Sequence, residues 1–244
     1  MTPGIYSAVS GMTARWSQQE LSAKNISSAD TPGYRRQMDA FGTFDQHLTT
    51  ALNGQQPGAI VPLAINKGVA YDFSNGAFRA TGSPLDVAIE GGGFFQVKYP
   101  AGMRLTRAGH FEVNKDGELV DASGYPVQGE RGTISVPDKT SRVEIKGDGS
   151  VVADGQTIDK LAVFEPQDAS KLTAEGGTLF SADNTGVKAV DKPKLATGTL
   201  EYSNVQMPTE MVNMIENQRM YDMLAKAVST QDDSVGKLIQ DSAS

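Results

Sequence analysis

Residues 201–240, EYSNVQMPTEMVNMIENQRMYDMLAKAVSTQDDSVGKLIQ, constrain the fold more than any other stretch of this 244-residue chain. After Pro208 there is no further proline, and Gly236 is the only glycine. The segment therefore predicts a long helix with proline in its first turn. Apolar residues at Met211, Met214, Tyr221, Ala225, Val228, Val235 and Ile239 fill all but Gln218 and Asp232 of a series stepping alternately by three and four. That is the spacing of a heptad seam. About 33 residues rising 1.5 Å each make a rod of roughly 50 Å, which would project from an ordinary compact domain. Such a helix is marginal alone and is ordered by packing on a partner.

The other end of the chain supplies one. Ile5, Val9, Met12, Trp16, Ala23 and Ile26 follow the same spacing, with Gln19 the single polar interruption, and Ser7, Ala8, Ser10 and Gly11 leave room for close approach on a second face. Ser27, Ser28 and the run Asp30-Thr31-Pro32-Gly33 end the helix in a turn. The two terminal helices are expected to pair as a coiled coil. The thirteen seam residues named at the two ends are the candidate assembly interface.

Between them the pattern changes. Tyr34 to Asn53 reads as a short irregular arm, and Gln55 to Asn66, with Pro57, Gly58 and Pro62, as an extended connection. From Gly68 the period is that of strands. Val69–Phe73, Leu85–Ile89 and Phe94–Val97 alternate or run apolar between glycine turns. Phe111–Val120 and Val143–Val152 each read as strand, Asp-Gly turn, strand, a strong hairpin signal. Two copies are too few for a stacked repeat. Ile158–Phe164 gives another strand, Pro166–Leu172 a loop or single helical turn, and Leu179-Phe180 and Val187–Val190 brief strands. The expected fold is a mainly β central domain, hairpin-rich and antiparallel, flanked by N- and C-terminal α-helices. Its boundaries are 1–34 for the N-terminal helix and turn, 35–67 for the arm and connection, 68–200 for the β domain and 201–244 for the long C-terminal helix.

Composition removes several function classes. A net charge of −7 disfavours nucleic acid. No stretch approaches the roughly 18 apolar residues needed to span a bilayer, so membrane insertion is not expected. Met1-Thr2-Pro3-Gly4 is not expected to open a cleavable signal peptide, since Arg15 is the first basic residue and no apolar block follows it. Cysteine is absent, which removes disulfides and thiolate metal sites.

Catalytic and cofactor motifs are missing as well. The two histidines, His47 and His110, have no metal-ligand spacing, and there is no GxSxG elbow or phosphate-binding loop. Gly91-Gly92-Gly93 runs into the strand pattern Phe94-Phe95-Gln96-Val97 and reads as a tight turn, because phosphate loops open onto helix N-termini. Asn114–Glu118 and Asp148-Gly149 lack the carboxylate pattern of a calcium loop and read as turns. No catalytic residue, metal or cofactor is expected. Tyr99 and Tyr125 on hairpins leave a glycan-binding module as the reading from another class. A glycan-cleaving carboxylate pair is a third, although nothing singles one out.

Several of these stretches carry a resemblance. Ser10-Gly11-Met12, Lys24-Asn25-Ile26 and Asp30–Arg36 are similar to the N-terminal signature of bacterial flagellar rod and hook proteins. Ser83–Phe95 resembles that family's central motif, and Thr106–Phe111, Asp116-Gly117 and Gly124–Val127 follow in its order. Leu200–Val205 and Glu210–Ile215 are similar to its C-terminal signature. Within the family the short central region and Gly129–Pro137 look most like a proximal rod subunit, with the distal rod as the alternative.

The resemblance implies a non-enzymatic structural subunit of the flagellar drive shaft. Its partners would be copies of itself, other rod subunits of the basal body and the flagellar export apparatus, which would carry it unfolded to the periplasm. The lack of cysteine suits an oxidising compartment. The terminal seams would fold on entering a helical assembly built by head-to-tail contacts.

Overall fold

The computed structural model describes residues 3–43, 64–137, 140, 142–183 and 185–243. Two helices are present, α1 (Pro3–Ser27) and α2 (Met207–Ala243). The strands are β1 (Gln37–Thr43), β2 (Ala64–Tyr71), β3 (Phe78–Ala80), β4 (Val87–Ile89), β5 (Phe94–Tyr99), β6 (Gly102–Thr106), β7 (Phe111–Val113), β8 (Leu119–Asp121), β9 (Gln128–Gly129) and β10 (Gly132–Thr133). They continue with β11 (Val143–Ile145), β12 (Ser150–Ala153), β13 (Gln156–Lys160), β14 (Val163–Pro166), β15 (Thr173–Ala174), β16 (Leu179–Ser181), β17 (Val187–Ala189), β18 (Leu195–Thr197) and β19 (Thr199–Glu201). The chain divides into a helical unit (1–27, 37–72 and 206–244) and a β unit (28–36 and 73–205).

In the helical unit, α1 and α2 lie side by side. Gly11 faces Leu224, Arg15 Nη1 donates to Asn217 Oδ1 at 3.2 Å, and the rings of Trp16 and Tyr221 are 6.4 Å apart. Advancing along α1 thus means retreating along α2, so the pair is antiparallel. Prolines stand at positions 3 and 208, in the first turns of α1 and α2, where a missing N–H costs nothing. Strands β1 and β2 pair antiparallel with an irregularity between Asp39 and Phe41. β2 takes in the end of the expected connection and Val69–Tyr71 of the first expected strand, whereas β1 stands where the sequence suggested an irregular arm. The apolar pattern there is too broken by Asp39 and Gly42 to read as a strand, and pairing supplies what local propensity lacks. Asn25 secures the approach, its amide donating to Gln37 O at 2.8 Å and accepting from Gln37 N at 2.9 Å. Phe44, His47, Leu48 and residues 55–63 of the expected connection lie outside the described residues.

The β unit is antiparallel throughout its named pairings. Its main sheet has six strands in the order β15-β16-β6-β5-β14-β17, beside a three-stranded sheet β11-β12-β13 and the pairs β3/β19, β4/β18, β7/β8 and β9/β10. Both Asp-Gly hairpins form as expected, with Phe111 opposite Asp121 and Val143 opposite Ala153. The expected strand 158–164 is instead two. β13 pairs with β12, whereas β14 pairs with β5 and β17. Leu161 and Ala162 make the change, bonding through their amides to Gly149 O and Gln128 O. The core includes Val87, Ile89, Phe95, Phe111, Leu119, Val151, Leu161 and Val163. Phe95 and Phe111 meet edge to face at 5.2 Å, a favoured aromatic geometry.

Candidate functional site

The helical unit places the predicted seam residues unevenly. On α2, Met214, Tyr221, Ala225 and Val228 lie half-buried, while Met211 is 47 % exposed. Glu210 and Asn217 are buried in place of Met211 and Gln218. The inward stripe therefore shares Met214, Tyr221, Ala225 and Val228 with the seam read in the sequence and departs from it at Met211 and Gln218. On α1, Val9, Trp16 and Ala23 are exposed, and Met12 and Ile26 are half-buried. The side chains of Ile5, Val235 and Ile239 lie outside the described ones. At the contact, α1 offers α2 the hydrogen of Gly11, which faces Leu224, and the guanidinium of Arg15, which bonds Asn217, while Met211 turns outward. Val212, Ile215 (55 % exposed), Met220 and Met223 (58 %) extend the outward set on α2, and Trp16 is 62 % exposed on α1.

The β unit contains an ionic centre closed to water. The side chains of Arg35 and Glu201 are fully buried, and Arg107 is nearly so. Arg35 Nη2 donates to Glu201 Oε1 at 2.8 Å, and Arg107 Nη1 to Oε2 at 3.2 Å. The backbone N–H of Gly76 adds a third donor to Oε1 at 2.9 Å. Arg107 Nη2 also donates to Gly91 O at 2.6 Å, and its guanidinium lies 5.3 Å from the centre of the Phe94 ring. Two cations and one carboxylate leave one net positive charge. Burial pulls the Arg107 guanidinium down to about 10, opposed by the Glu201 carboxylate and reinforced by the Arg35 charge. It thus remains protonated at neutral pH.

Local backbone geometry brings these groups together. Gly33, at φ +73, donates its N–H to Glu201 O at 2.8 Å, and a Cβ there would stand 2.2 Å from Ala108 N. Only glycine permits that conformation and approach without strain. A Cβ on Gly76 would likewise stand 1.8 Å from Tyr202 O. Next door, Arg36 N donates to Asn204 Oδ1 at 2.8 Å, and Asn204 Nδ2 donates to Ser74 O and Oγ at 3.2 and 3.1 Å. Three stretches that carry the resemblance, 30–36, 106–111 and 200–205, converge here. The sequence marks these stretches by their resemblance but assigns Arg35, Arg107 and Glu201 no role. The signal available was a charged side chain near glycine at Arg35 and Arg107 and one following Leu200 at Glu201.

A second polar node joins the central motif to Thr106–Phe111. Asp86, buried, accepts from Thr81 Oγ1 at 2.6 Å and lies 2.6 Å from His110 Nδ1, while Glu112 Oε1 lies 3.3 Å from Nε2. The hydrogen bond to Asp86 raises the His110 pKa above its ordinary value despite partial desolvation, with Glu112 adding to the effect. His47 lies outside the described residues. Among the described residues no group of three or more His, Asp or Glu side chains could hold a metal ion, and no helix is long and apolar enough to cross a membrane. Tyr99 and Tyr125 meet each other edge to face at 4.7 Å and are half-buried.

Comparison with known proteins bears on both units. Residues 88–153 match the model of the flagellar hook protein FlgE/F/G D1 domain, and residues 196–241 that of the flagellar basal body rod FlgEFG protein C-terminal region. The flagellar basal-body rod protein FlgF of Caulobacter vibrioides is 31 % identical over 93 % of this chain and 92 % of its own length. FlgG of Buchnera aphidicola subsp. Schizaphis graminum is 32 % identical over 98 % of this chain and all of its own, and FlgF of Salmonella typhimurium 30 % identical over 98 % of each. The motifs that converge on Glu201 and the near-complete span of these alignments lead to one conclusion: the chain belongs to the FlgE/F/G family of flagellar basal-body rod and hook proteins.

Proposed function

We propose that this chain is a structural subunit of the bacterial flagellar basal-body rod, placed at the proximal position and joined to its neighbours through its terminal helices. The observation that carries the reading is the outward apolar face of those helices, with Val9, Trp16, Met211, Val212, Ile215 and Met223 all exposed in the single chain. Exposed apolar groups gathered on one element mark a surface that is covered in an assembly. The seam residues Ile5, Val9, Met12, Trp16, Ala23, Ile26, Met211, Met214, Tyr221, Ala225, Val228, Val235 and Ile239 contribute to that interface, and the helices wind as a coiled coil within it. Residues 1–34 and 201–244 form the assembly part, 35–67 an arm and 68–200 the outer β domain. The subunit reaches the periplasm through the flagellar export apparatus and has no catalytic role.

Substituting Ile215→Asp tests this. Its side chain points to solvent, so the purified monomer is expected to keep its far-UV circular dichroism while incorporation into basal bodies and swimming are lost. Normal incorporation would overturn the reading.

The distal position is the second reading, favoured by the FlgG relative that this chain matches over that protein's entire length. The absence of cysteine makes a Val113→Cys label unique within the chain. Gold bound to it near the inner-membrane end of isolated rods supports the proximal position, and gold near the outer end assigns the distal one.

A further inference from the structure

The polypeptide passes between its two units four times, at 27/28, 36/37, 72/73 and 205/206. Inside the β unit, the segments that adjoin these crossings are tied to one another. Glu201 O accepts from Gly33 N, and Glu201 Oε1 from both Arg35 Nη2 and Gly76 N, at 2.8, 2.8 and 2.9 Å. Asn204 accepts from Arg36 N and donates to Ser74. The entry at 33–36, the re-entry at 74–76 and the exit at 201–204 thus share one junction.

We infer that this junction is a mechanical clamp, which carries tension between the two ends of the chain across Gly33–Arg36 and Glu201–Asn204 and keeps it off the strands in between. Tension applied to the ends reaches these two short segments before it reaches any strand from β1 to β18. Their bonds close the chain into a loop from 33 to 201, so the enclosed strands experience no extension until the junction opens. The side chains of Arg35 and Glu201 are fully buried, so water is not at hand to replace a broken bond, and a broken pair leaves charge in a poorly solvating site. A carboxylate shared by three donors also loads several bonds together. The clamp goes beyond the rod-subunit reading and does not depend on it.

Single-molecule force-clamp measurements on the full chain, held by its two ends, test the inference. After the helices extend, the junction is expected to open in one event that releases the enclosed residues together, a step of several hundred ångström at about 3.5 Å per residue. Glu201→Gln is expected to keep the step and to shorten the lifetime at the same force roughly tenfold or more, the scale of an unsatisfied buried partner. A second attachment geometry needs no change at the junction. With the chain held at the exposed turn residue Lys115→Cys and at its C-terminal end, tension enters the β unit directly, and the strands are expected to yield at lower force. Extension in several small steps before the junction opens, an unchanged lifetime in Glu201→Gln, or equal forces in the two geometries would each overturn the clamp.

Discussion

Neutralising Glu201 would leave two guanidinium groups facing each other in a site closed to water. Breaking a buried pair by removing one partner typically costs about 3–5 kcal/mol, so Glu201→Gln is expected to lower the stability of the β unit by that order, read from the denaturant midpoint of its unfolding. Replacing Arg35, Arg107 and Glu201 together with apolar residues of similar volume should cost less than this single change, because no charge is then stranded. Arg107 does not titrate near neutrality, since burial pulls its pKa down only to about 10. His110 does. Its folded pKa is raised by Asp86 and Glu112, so its stabilising contribution is complete below the unfolded value of about 6.5 and is lost as pH rises through the folded value. The unfolding midpoint should therefore fall between pH 5.5 and 8.5 by more in the native sequence than in His110→Asn; equal falls would show that the pair does not contribute. None of this pairing was legible from sequence. Arg35 and Glu201 are separated by 166 positions and Arg107 and Glu201 by 94, and nothing local announces which charges will meet.

Elements were read more surely where a single period ran long. Both helices follow from apolar spacing and from the placing of proline and glycine, and both Asp-Gly hairpins from turn chemistry. What periodicity missed was the place of Glu210 and Asn217 in the inward stripe. A three-and-four series names a stripe, but a neighbouring stripe holding Glu210, Asn217 and Leu224 satisfies the same spacing, and the choice fell to what α1 presents. Gly11 makes that choice testable. A Cβ there would lie 3.2 Å from the tip of Leu224, a flexible end able to give way. Gly11→Ala is accordingly expected to be neutral or to raise the melting temperature followed at 222 nm, helped by up to about 1 kcal/mol of helix propensity. Gly11→Ile should lower it by forcing the helices apart. β1 is illegible for another reason, since Asp39 and Gly42 break its apolar pattern and its partner β2 lies beyond a long connection.

For the whole molecule, the expected independence of the β unit has the widest consequences. Its core runs from Leu85 to Leu195 in sequence and draws on neither helix, and the Glu201 junction also precedes α2. Truncation of residues 209–244 should leave the dispersed methyl resonances of Val87, Ile89 and Val151 in NMR spectra of the purified protein, while abolishing motility in cells. Collapse of those resonances would mean that the β unit needs the helix to fold. The chain's linear order already determined a great deal: two terminal helices, an antiparallel hairpin-rich middle, the lack of any phosphate loop or metal-ligand spacing, and motifs specific enough to indicate a family. Those features rest on propensities and periods that act over a few residues. Tertiary structure alone decided which stripe of α2 turns inward, where 158–164 breaks to change sheets, and that Arg35, Gly76, Arg107 and Glu201 share one site. Each of those outcomes is settled by contacts between distant segments, where burial, close backbone approach and charge compensation are properties of the packed chain and of no segment within it.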